Sequence, residues 1–330
     1  MSVRVARRRY EEIVRGFSRA HVLVVGDVMI DEYLMGSARR ISPEGPVMIV
    51  DVHTDDFKPG GAANVVNNLL ALGSRVSVAG AIGDDEMGKR LRSDLASHGA
   101  AVDGLIVDPA RPTTRKTRIV AQRQQVLRVD REHTVPIGEA IVSQLLRFSG
   151  ACLPQADAAL ISDYRKGVVT RDVALGVCAQ AKGANKRVIG NPKPASAAWL
   201  AGADVLSLNQ VEAEELAREP IPEEPTALRE FGATLRMALD VDTLVVTRGS
   251  RGLAYWRSTG EHRVVAAHPV EVYDVAGAGD TTISAMTLAL VSGATHLEAA
   301  FIANHAGACV VRKSGVATTT PDELIEDWQP

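Results

Sequence analysis

From about residue 134 onward the chain alternates short apolar runs with helical stretches, and this alternation constrains the fold more than any other feature. ADAALIS (156–162), KRVIG (186–190), DVLSL (204–208) and DTLVVT (242–247) read as strands. Near-continuous Val, Leu and Ile of this kind suit parallel strands buried on both faces. HVLVVG (21–26), RVSVAGAIG (75–83) and GLIVD (104–108) have the same character, and VMIVDVH (47–53) alternates as a further strand. The segments 60–73 and 84–99 read as helices closed by Gly73 and Gly99. GLAYW (252–256) and HRVVAAH (262–268) read as an antiparallel pair at an edge, and helices over 280–292 and 296–312 close the chain. The pattern predicts one α/β domain over 1–330: an open, mostly parallel sheet with helices on both faces. Segments that break the alternation, at about 34–56 and 111–131, are expected to form a small projecting sheet.

Of the 330 residues, 46% are apolar but only 4% aromatic, so the core must be built mainly from Val, Ala, Leu and Ile. A net charge of −3 gives no electrostatic reason to expect nucleic acid or an anionic membrane as partner. Any anionic ligand must be met by a local group of cations. The densest such group outside the N-terminus is the predicted hairpin 111–132, with Arg115, Lys116, Arg118, Arg123, Arg128 and Arg131. For Arg123 and Arg131 a solvated sheet face is the leading reading.

The three cysteines (Cys152, Cys178, Cys309) lie far apart in apolar contexts, which suits reduced core residues rather than a disulfide frame. The basic N-terminus carries an amphipathic face of Tyr10, Ile13, Val14 and Phe17 rather than a signal-peptide run. No apolar stretch has the roughly 18 residues a membrane span needs. A soluble, cytoplasmic protein is expected.

In an open α/β sheet, ligands gather at the carboxyl ends of the strands. Here those ends read Gly26-Asp27, Asp163, Asn191, Asn209 and Thr247-Arg248-Gly249, joined after the last connection by Gly277–Asp280. The last stands in VYDVAGAGDTTISA (272–285), where Gly277, Ala278 and Gly279 precede Asp280 and a helical run. Small residues at a helix start let an anion approach unpaired N–H groups. Asp280 is then either a carboxylate beside a bound phosphate or an ordinary first-turn cap.

Several motifs fail. GDDEMGKR (83–90) resembles a phosphate loop, but Arg90 replaces the metal-binding hydroxyl and three acidic residues would repel phosphate. GAGDTT lacks the last glycine of a dinucleotide fingerprint and lies too late in the chain. No His or Cys spacing suits zinc, and GSRG (249–252) is not a nucleophile elbow.

Taken together, the chain resembles the ribokinase-like (PfkB) carbohydrate kinases. Gly60-Gly61-Ala62-Ala63-Asn64 is similar to their N-terminal sugar signature and Asp274–Asp280 to their C-terminal D-T-x-G-A-G-D signature. Asn209–Glu212 fits N-x-x-E, and Thr247–Gly252 fits T-x-G-x-x-G. Gly26-Asp27 with Asp31-Glu32-Tyr33, Ser162-Asp163-Tyr164 with Lys166-Gly167, and Gln124-Gln125 with Arg128 and Asp130 resemble, within that family, the D-glycero-β-D-manno-heptose 7-phosphate kinases of lipopolysaccharide core biosynthesis. The chain stops at Pro330 without the H-x-G-H signature of the adenylyltransferase often fused to these kinases, so a stand-alone kinase is expected. Val275 departs from the usual Thr, and Asn191 from the usual Asp.

The resemblance implies a three-layer α/β/α sandwich with a mostly parallel central sheet and a small β-sheet lid. It implies ATP, Mg²⁺ and a monovalent cation near Asp274. Asp280 would be the base, with Gly277, Ala278 and Gly279 forming the catalytic turn and the N–H groups of Ala278, Gly279 and Asp280 around the transferring phosphoryl group. Asn209, Glu212, Thr247, Gly249, Gly252, Asn304 and Ala308 would face ATP, with Glu212 reaching Mg²⁺ through water. Asp27, Asp31, Gly60, Gly61, Asn64, Lys116, Arg118, Gln124, Asp163 and Lys193 would face the sugar phosphate. A homodimer through the lid is expected, since such strands need covering. Rival expectations are a related kinase of ribose, a ketohexose phosphate or a nucleoside, and a non-catalytic sugar- or nucleotide-binding regulator.

Overall fold

The structure is a computed structural model that describes residues 5–122 and 124–328, so Arg123 lies outside it. Helix α1 (Arg7–Gly16) buries Tyr10, Ile13 and Val14 and leads into β1 (His21–Gly26). Strands β2 (Val28–Ile41) and β3 (Met48–Gly61) then leave the main body as a long antiparallel ribbon. Helix α2 (Ala62–Ala71), β4 (Arg75–Ile82), α3 (Glu86–Ser97) and β5 (Ala101–Val107) return to the main sheet. Strands β6 (Arg115–Ala121) and β7 (Gln124–Arg131) add the expected hairpin to the ribbon.

The regular part follows: α4 (Glu139–Cys152), β8 (Ala158–Ser162), α5 (Arg171–Gly183), β9 (Arg187–Asn191), β10 (Val205–Asn209) and α6 (Gln210–Ala217). Then come α7 (Pro225–Leu239), β11 (Thr243–Thr247), β12 (Leu253–Arg257) and β13 (His262–Val265). Helices α8 (Ala278–Val291), α9 (His296–Val311) and α10 (Pro321–Glu326) end the described chain.

The large sheet runs β13-β12-β11-β10-β9-β8-β1-β4-β5, parallel except where β12 joins β11 and β13. Alternate residues of β1 serve the two layers. Val22 and Val24 pack with α1, α2, α8 and α9, while Leu23 and Val25 pack with α4, α5 and α7. This two-sided burial is why β1 reads as an unbroken apolar run. The chain steps from β1 outward through β4 and β5, then restarts beside β1 at β8 and proceeds the other way. The reversal between β1 and β8 is where a crevice opens at the carboxyl ends of the strands.

The second sheet has order β3-β2-β6-β7 and is the projecting sheet expected from the broken alternation. Its first part is larger than the expected 34–56, beginning at Val28 directly after β1 and running to Gly61. Register shifts at Met35/Gly36 and Ala38/Arg40 break the period of two that would have revealed β2. β13 also stops at Val265 rather than His268. None of the described helices is long and apolar enough to cross a membrane.

Candidate active site

Gly277 sits at φ +77°, the left-handed region glycine favours, and turns the chain into α8 with no side-chain cap. The N–H of Ala278 donates to the Val275 carbonyl at 3.3 Å, whereas those of Gly279 and Asp280 have no acceptor among the described residues. Asp280 occupies the third position of the helix, but it does not cap it. One carboxylate oxygen accepts from Asn64 Nδ2 at 2.6 Å and the other from the Tyr164 hydroxyl at 2.5 Å. The first-turn cap reading therefore fails.

Burial pushes the Asp280 carboxyl above the usual carboxylate range. Hydrogen bonds from Tyr164 and Asn64, then the charge of Lys193, oppose that rise, and Asp31 adds to it. Asn64 is itself held. Asn68, one turn along α2, donates to its carbonyl oxygens and accepts from the Thr281 hydroxyl at 2.6 Å. A buried polar chain thus links α2 to α8.

Asp31 lies on β2, beside Lys116 of β6 and Lys58 of β3. Its carboxylate accepts from Arg118, so a lid cation and a polyol-type acceptor meet on one face of the small sheet. Gly60 is packed so closely that an added Cβ would collide with Asp31 Oδ2. Gly61, at φ +55°, would bring a Cβ to 2.5 Å from the Asp27 carbonyl oxygen. Lys116 Nζ lies 3.4 Å from Asp130 and 3.6 Å from Glu132, and Lys166 Nζ lies 2.8 Å from Glu132. Two lysines thus share one carboxylate.

On the other side of Asp280, Asn209 and Thr247 are register partners at the ends of β10 and β11. Asn209 and Glu212 form a capping box at the start of α6. Glu212 Oε2 accepts from the Asn209 N–H, and Oε1 from Lys193 Nζ at 2.6 Å. With both oxygens engaged, the donor set suits a hydrated divalent cation reached through water rather than a directly bound one. Gly249 and Gly252 take φ +57° and +77° after β11, and Asn304 of α9, one turn before Ala308, donates to the Ala266 carbonyl at 2.8 Å. Asp274 accepts from the N–H groups of Ala276 and Gly315, tying two loops beside the α8 start. Val275 is exposed, and Asn191 gives its carbonyl to the Asp163 N–H.

Three residues expected beside the sugar have other partners in the structure. Asp27 is fully buried, and its carboxylate accepts from the N–H groups of Tyr164, Lys166 and Val168, so it anchors a loop. Asp163 is likewise spent on Arg165 N–H and the Ser196 hydroxyl. Gln124 pairs with Ala121 at the outer tip of the hairpin, five residues from Lys116 along β6. That is about 16 Å at ordinary strand rise. Lys193, expected beside the sugar phosphate, instead bridges towards Glu212.

Sequence reasoning did not single out Tyr164, Asn68 or Lys166 as site residues. Tyr164 lies two residues past the end of β8 at the sheet's reversal, and Asn64 and Asn68 are polar at four-residue spacing on a helix whose other residues, apart from Asn67, are apolar; those were the available signals.

Residues 19–323 match the pfkB family carbohydrate kinase profile. The chain is 40% identical over 320 residues to the Bifunctional protein HldE of Geotalea uraniireducens (strain Rf4), covering 96% of this chain and 65% of that protein. It is 42% identical over 313 residues to the Bifunctional protein HldE of Desulfatibacillum aliphaticivorans, covering 95% and 64%. The chain thus spans just under two thirds of these relatives' length. The fold is similar to Arabidopsis thaliana ribokinase complexed with ribose and ATP, with a TM-score of 0.74 and 20% identity over 94% of this chain and 99% of that one. It is equally similar to Escherichia coli phosphofructokinase-2 in complex with fructose-6-phosphate, at a TM-score of 0.74 and 19% identity over 93% and 97%.

Proposed function

The chain belongs to the PfkB family of carbohydrate kinases, and from that premise we propose that it moves the γ-phosphoryl group of ATP to the anomeric hydroxyl of D-glycero-β-D-manno-heptose 7-phosphate, giving the 1,7-bisphosphate. The observation that carries the choice of a phosphorylated sugar is the pairing of Asp31 with Lys116 and Arg118 on one face of the lid. A carboxylate suits sugar hydroxyls, and cations beside it suit a distal phosphate. This reaction would serve ADP-heptose supply for lipopolysaccharide core synthesis in the cytoplasm.

Phosphoryl transfer needs alignment and charge neutralisation more than covalent help. In the proposal, Asp280 takes the proton of the anomeric hydroxyl as that oxygen attacks phosphorus. Unpaired N–H groups of Gly279 and Asp280 meet the charge on the transferring group. Asn209, Thr247, Gly249 and Gly252 hold the nucleotide phosphates, with Asn304 and Ala308 on the adenine side. When bound, Mg²⁺ neutralises the triphosphate, with Glu212 orienting its waters. A monovalent cation beside the Asp274 loop belongs to the same proposal. The lid excludes water from the reacting groups. Its exposed apolar residues, among them Met48, Val52, Leu127 and Val129, support burial against a second copy of the chain.

The test is an ADP-release assay across free and phosphorylated heptoses, hexoses and pentoses. The heptose 7-phosphate is expected to give the highest kcat/KM. A neutral pentose or a ketohexose phosphate used equally well would redirect the reading to a related kinase. ATP binding without turnover on any sugar would point to a regulator. Asp280→Asn is expected to lower kcat by about 100- to 10,000-fold, the usual range for a lost general base.

A further inference from the structure

Asp280 is gripped from two sides, by Asn64 and by Tyr164, a side chain to which the motifs above assign no role. Tyr164 follows β8 at the sheet's reversal point, and its hydroxyl donates to Asp280 at 2.5 Å. We propose that Tyr164 is a positioning residue for phosphoryl transfer. Its hydroxyl clamps one oxygen of Asp280 while Asn64 holds the other, so that a remaining lone pair stays directed at the acceptor hydroxyl. The proposal rests on Asp280 being the base.

The loop that carries Tyr164 is over-determined. Asp27 gathers the N–H groups of residues 164, 166 and 168 at 2.8, 3.0 and 2.9 Å. Asp163 accepts from Arg165 N–H, and Arg165 itself takes φ +59°. Gly167, at φ +85°, lies so close to the Val135 carbonyl that a side chain would not fit. A buried acidic residue is expensive to keep, and here the three hydrogen bonds its carboxylate accepts all go into fixing one short turn. The rigid element is therefore the one that delivers the Tyr164 hydroxyl. Each carboxylate oxygen has two lone pairs, so the clamp uses half of the capacity of Asp280 and leaves room for a substrate hydroxyl.

Charged groups face this pair from three directions. Lys193 stands over the Tyr164 ring at 5.3 Å from the loop after β9. Asp31 of β2, with Arg118 of β6, faces it from the lid, and Glu212 faces it from α6. Among the influences that oppose the rise in the Asp280 carboxyl caused by burial, the Tyr164 hydrogen bond is the largest. The phenol is pushed far up by burial and by the negative charge of Asp280, so it keeps its proton and remains a donor throughout. During transfer the acceptor hydroxyl gives its proton to Asp280, the new O–P bond forms, and the bond to the bridging oxygen breaks with its electron pair leaving on ADP.

The decisive comparison is Tyr164→Phe against a chain carrying 3,5-difluorotyrosine at position 164. Losing the hydroxyl is expected to lower kcat about 10-fold or more, to leave the KM for ATP within about twofold, and to move the acid limb of kcat upward by about one pH unit. The more acidic fluorinated phenol is a stronger donor and is expected to move that limb downward. The Asp280 carboxyl is also titrated without turnover, by infrared difference spectra of ¹³C-Asp-labelled protein against Asp280→Asn, and its midpoint is expected to follow the same two directions. An unmoved midpoint in a folded Tyr164→Phe variant, or shifts of the same sign from both substitutions, overturns the clamp. If Tyr164→Phe does not fold, the nearly isosteric fluorinated chain decides by the direction of its shift. If the unmodified protein phosphorylates no sugar, the kinase reading fails separately, while the midpoint still reports on the clamp.

Discussion

Lys193 and Glu212 form an ion pair at 2.6 Å that joins the loop after β9 to the capping box at the start of α6. Glu212 stands in the first turn after β10, and the charge of Lys193 lowers the proton affinity of Asp280. On the proposed assignment, an arriving triphosphate would offer Lys193 a stronger partner than a single carboxylate, and Glu212 would be free to hold a water of the hydrated cation.

Lys193→Met is accordingly expected to raise the KM for ATP about 10-fold, consistent with roughly 1.5 kcal/mol for a lost charge-assisted contact. The KM for the sugar should change much less. Steady-state kinetics with each substrate varied in turn, beside a thermal melt, separates this from misfolding. A larger effect on the sugar would return Lys193 to the sugar side, as the sequence first suggested.

Asp27 ties burial to pH. Burial is the main cause that pushes its carboxyl up to about 6, partly opposed by the backbone N–H groups of Lys166, Val168 and Tyr164. A carboxyl whose folded value is raised stabilises the fold fully below its unfolded value, near 4, and loses that contribution as pH rises through about 6. The change is on the order of 3 kcal/mol. Asp27→Asn removes this titration and points an N–H donor at N–H donors, so it is expected to cost about 2–3 kcal/mol. The melting-temperature gap between the two proteins should narrow from pH 4 to pH 7. A gap independent of pH would show that Asp27 does not titrate in that window.

The large sheet was legible because its inner strands, such as β1, β4, β8 and β10, are buried on both faces and so read as plain apolar runs. The lid was only half legible. β6 and β7 alternate visibly, but the bulges in β2 scramble its period, and much of its length faces solvent. The helix start at Gly277–Asp280 could be read because three small residues precede an apolar helical run. The roles of Asp27 and Tyr164 could not be read. Both are polar residues after a strand end, and only three-dimensional placement separates a loop anchor from a ligand contact. The Lys193–Glu212 ion pair was hidden for a related reason. Glu212 lies in another βα unit, and register between parallel strands is not written locally.

For the lid cations, Lys116→Ala and Arg118→Ala are expected to raise the KM for a phosphorylated sugar about 10-fold or more each while leaving the KM for ATP within about twofold, from loss of one charge-assisted contact. Arg118→Ala also frees the Asp31 carboxylate, so it should weaken an unphosphorylated sugar analogue too. Lys116→Ala should not, since its nearest partners are Asp130 and Glu132. Equal losses on ATP and sugar in both variants would remove the hairpin from the sugar site.

Two glycines allow the geometry of Asp280 to be separated from backbone strain. Gly277 at φ +77° would bring an added Cβ to 2.9 Å from Asn64 Nδ2, the atom that donates to Asp280. Gly73 has the same need for a positive φ, at +90°, but its Cβ would meet only Pro321 Cγ at 3.8 Å, far along the chain from the site. Both Gly→Ala changes therefore carry a left-handed backbone cost of about 1–2 kcal/mol. Only Gly277→Ala must also displace the Asn64 amide and loosen one side of the grip on Asp280. It is expected to lower kcat by about 10-fold or more, since small misplacements of a reacting group are costly. Gly73→Ala is expected to lower the melting temperature similarly and leave kcat within about twofold. Chemical denaturation measured beside single-turnover kinetics checks both arms. Similar kcat losses in the two variants would mean that stability, and not the Asn64–Asp280 hydrogen bond, controls turnover.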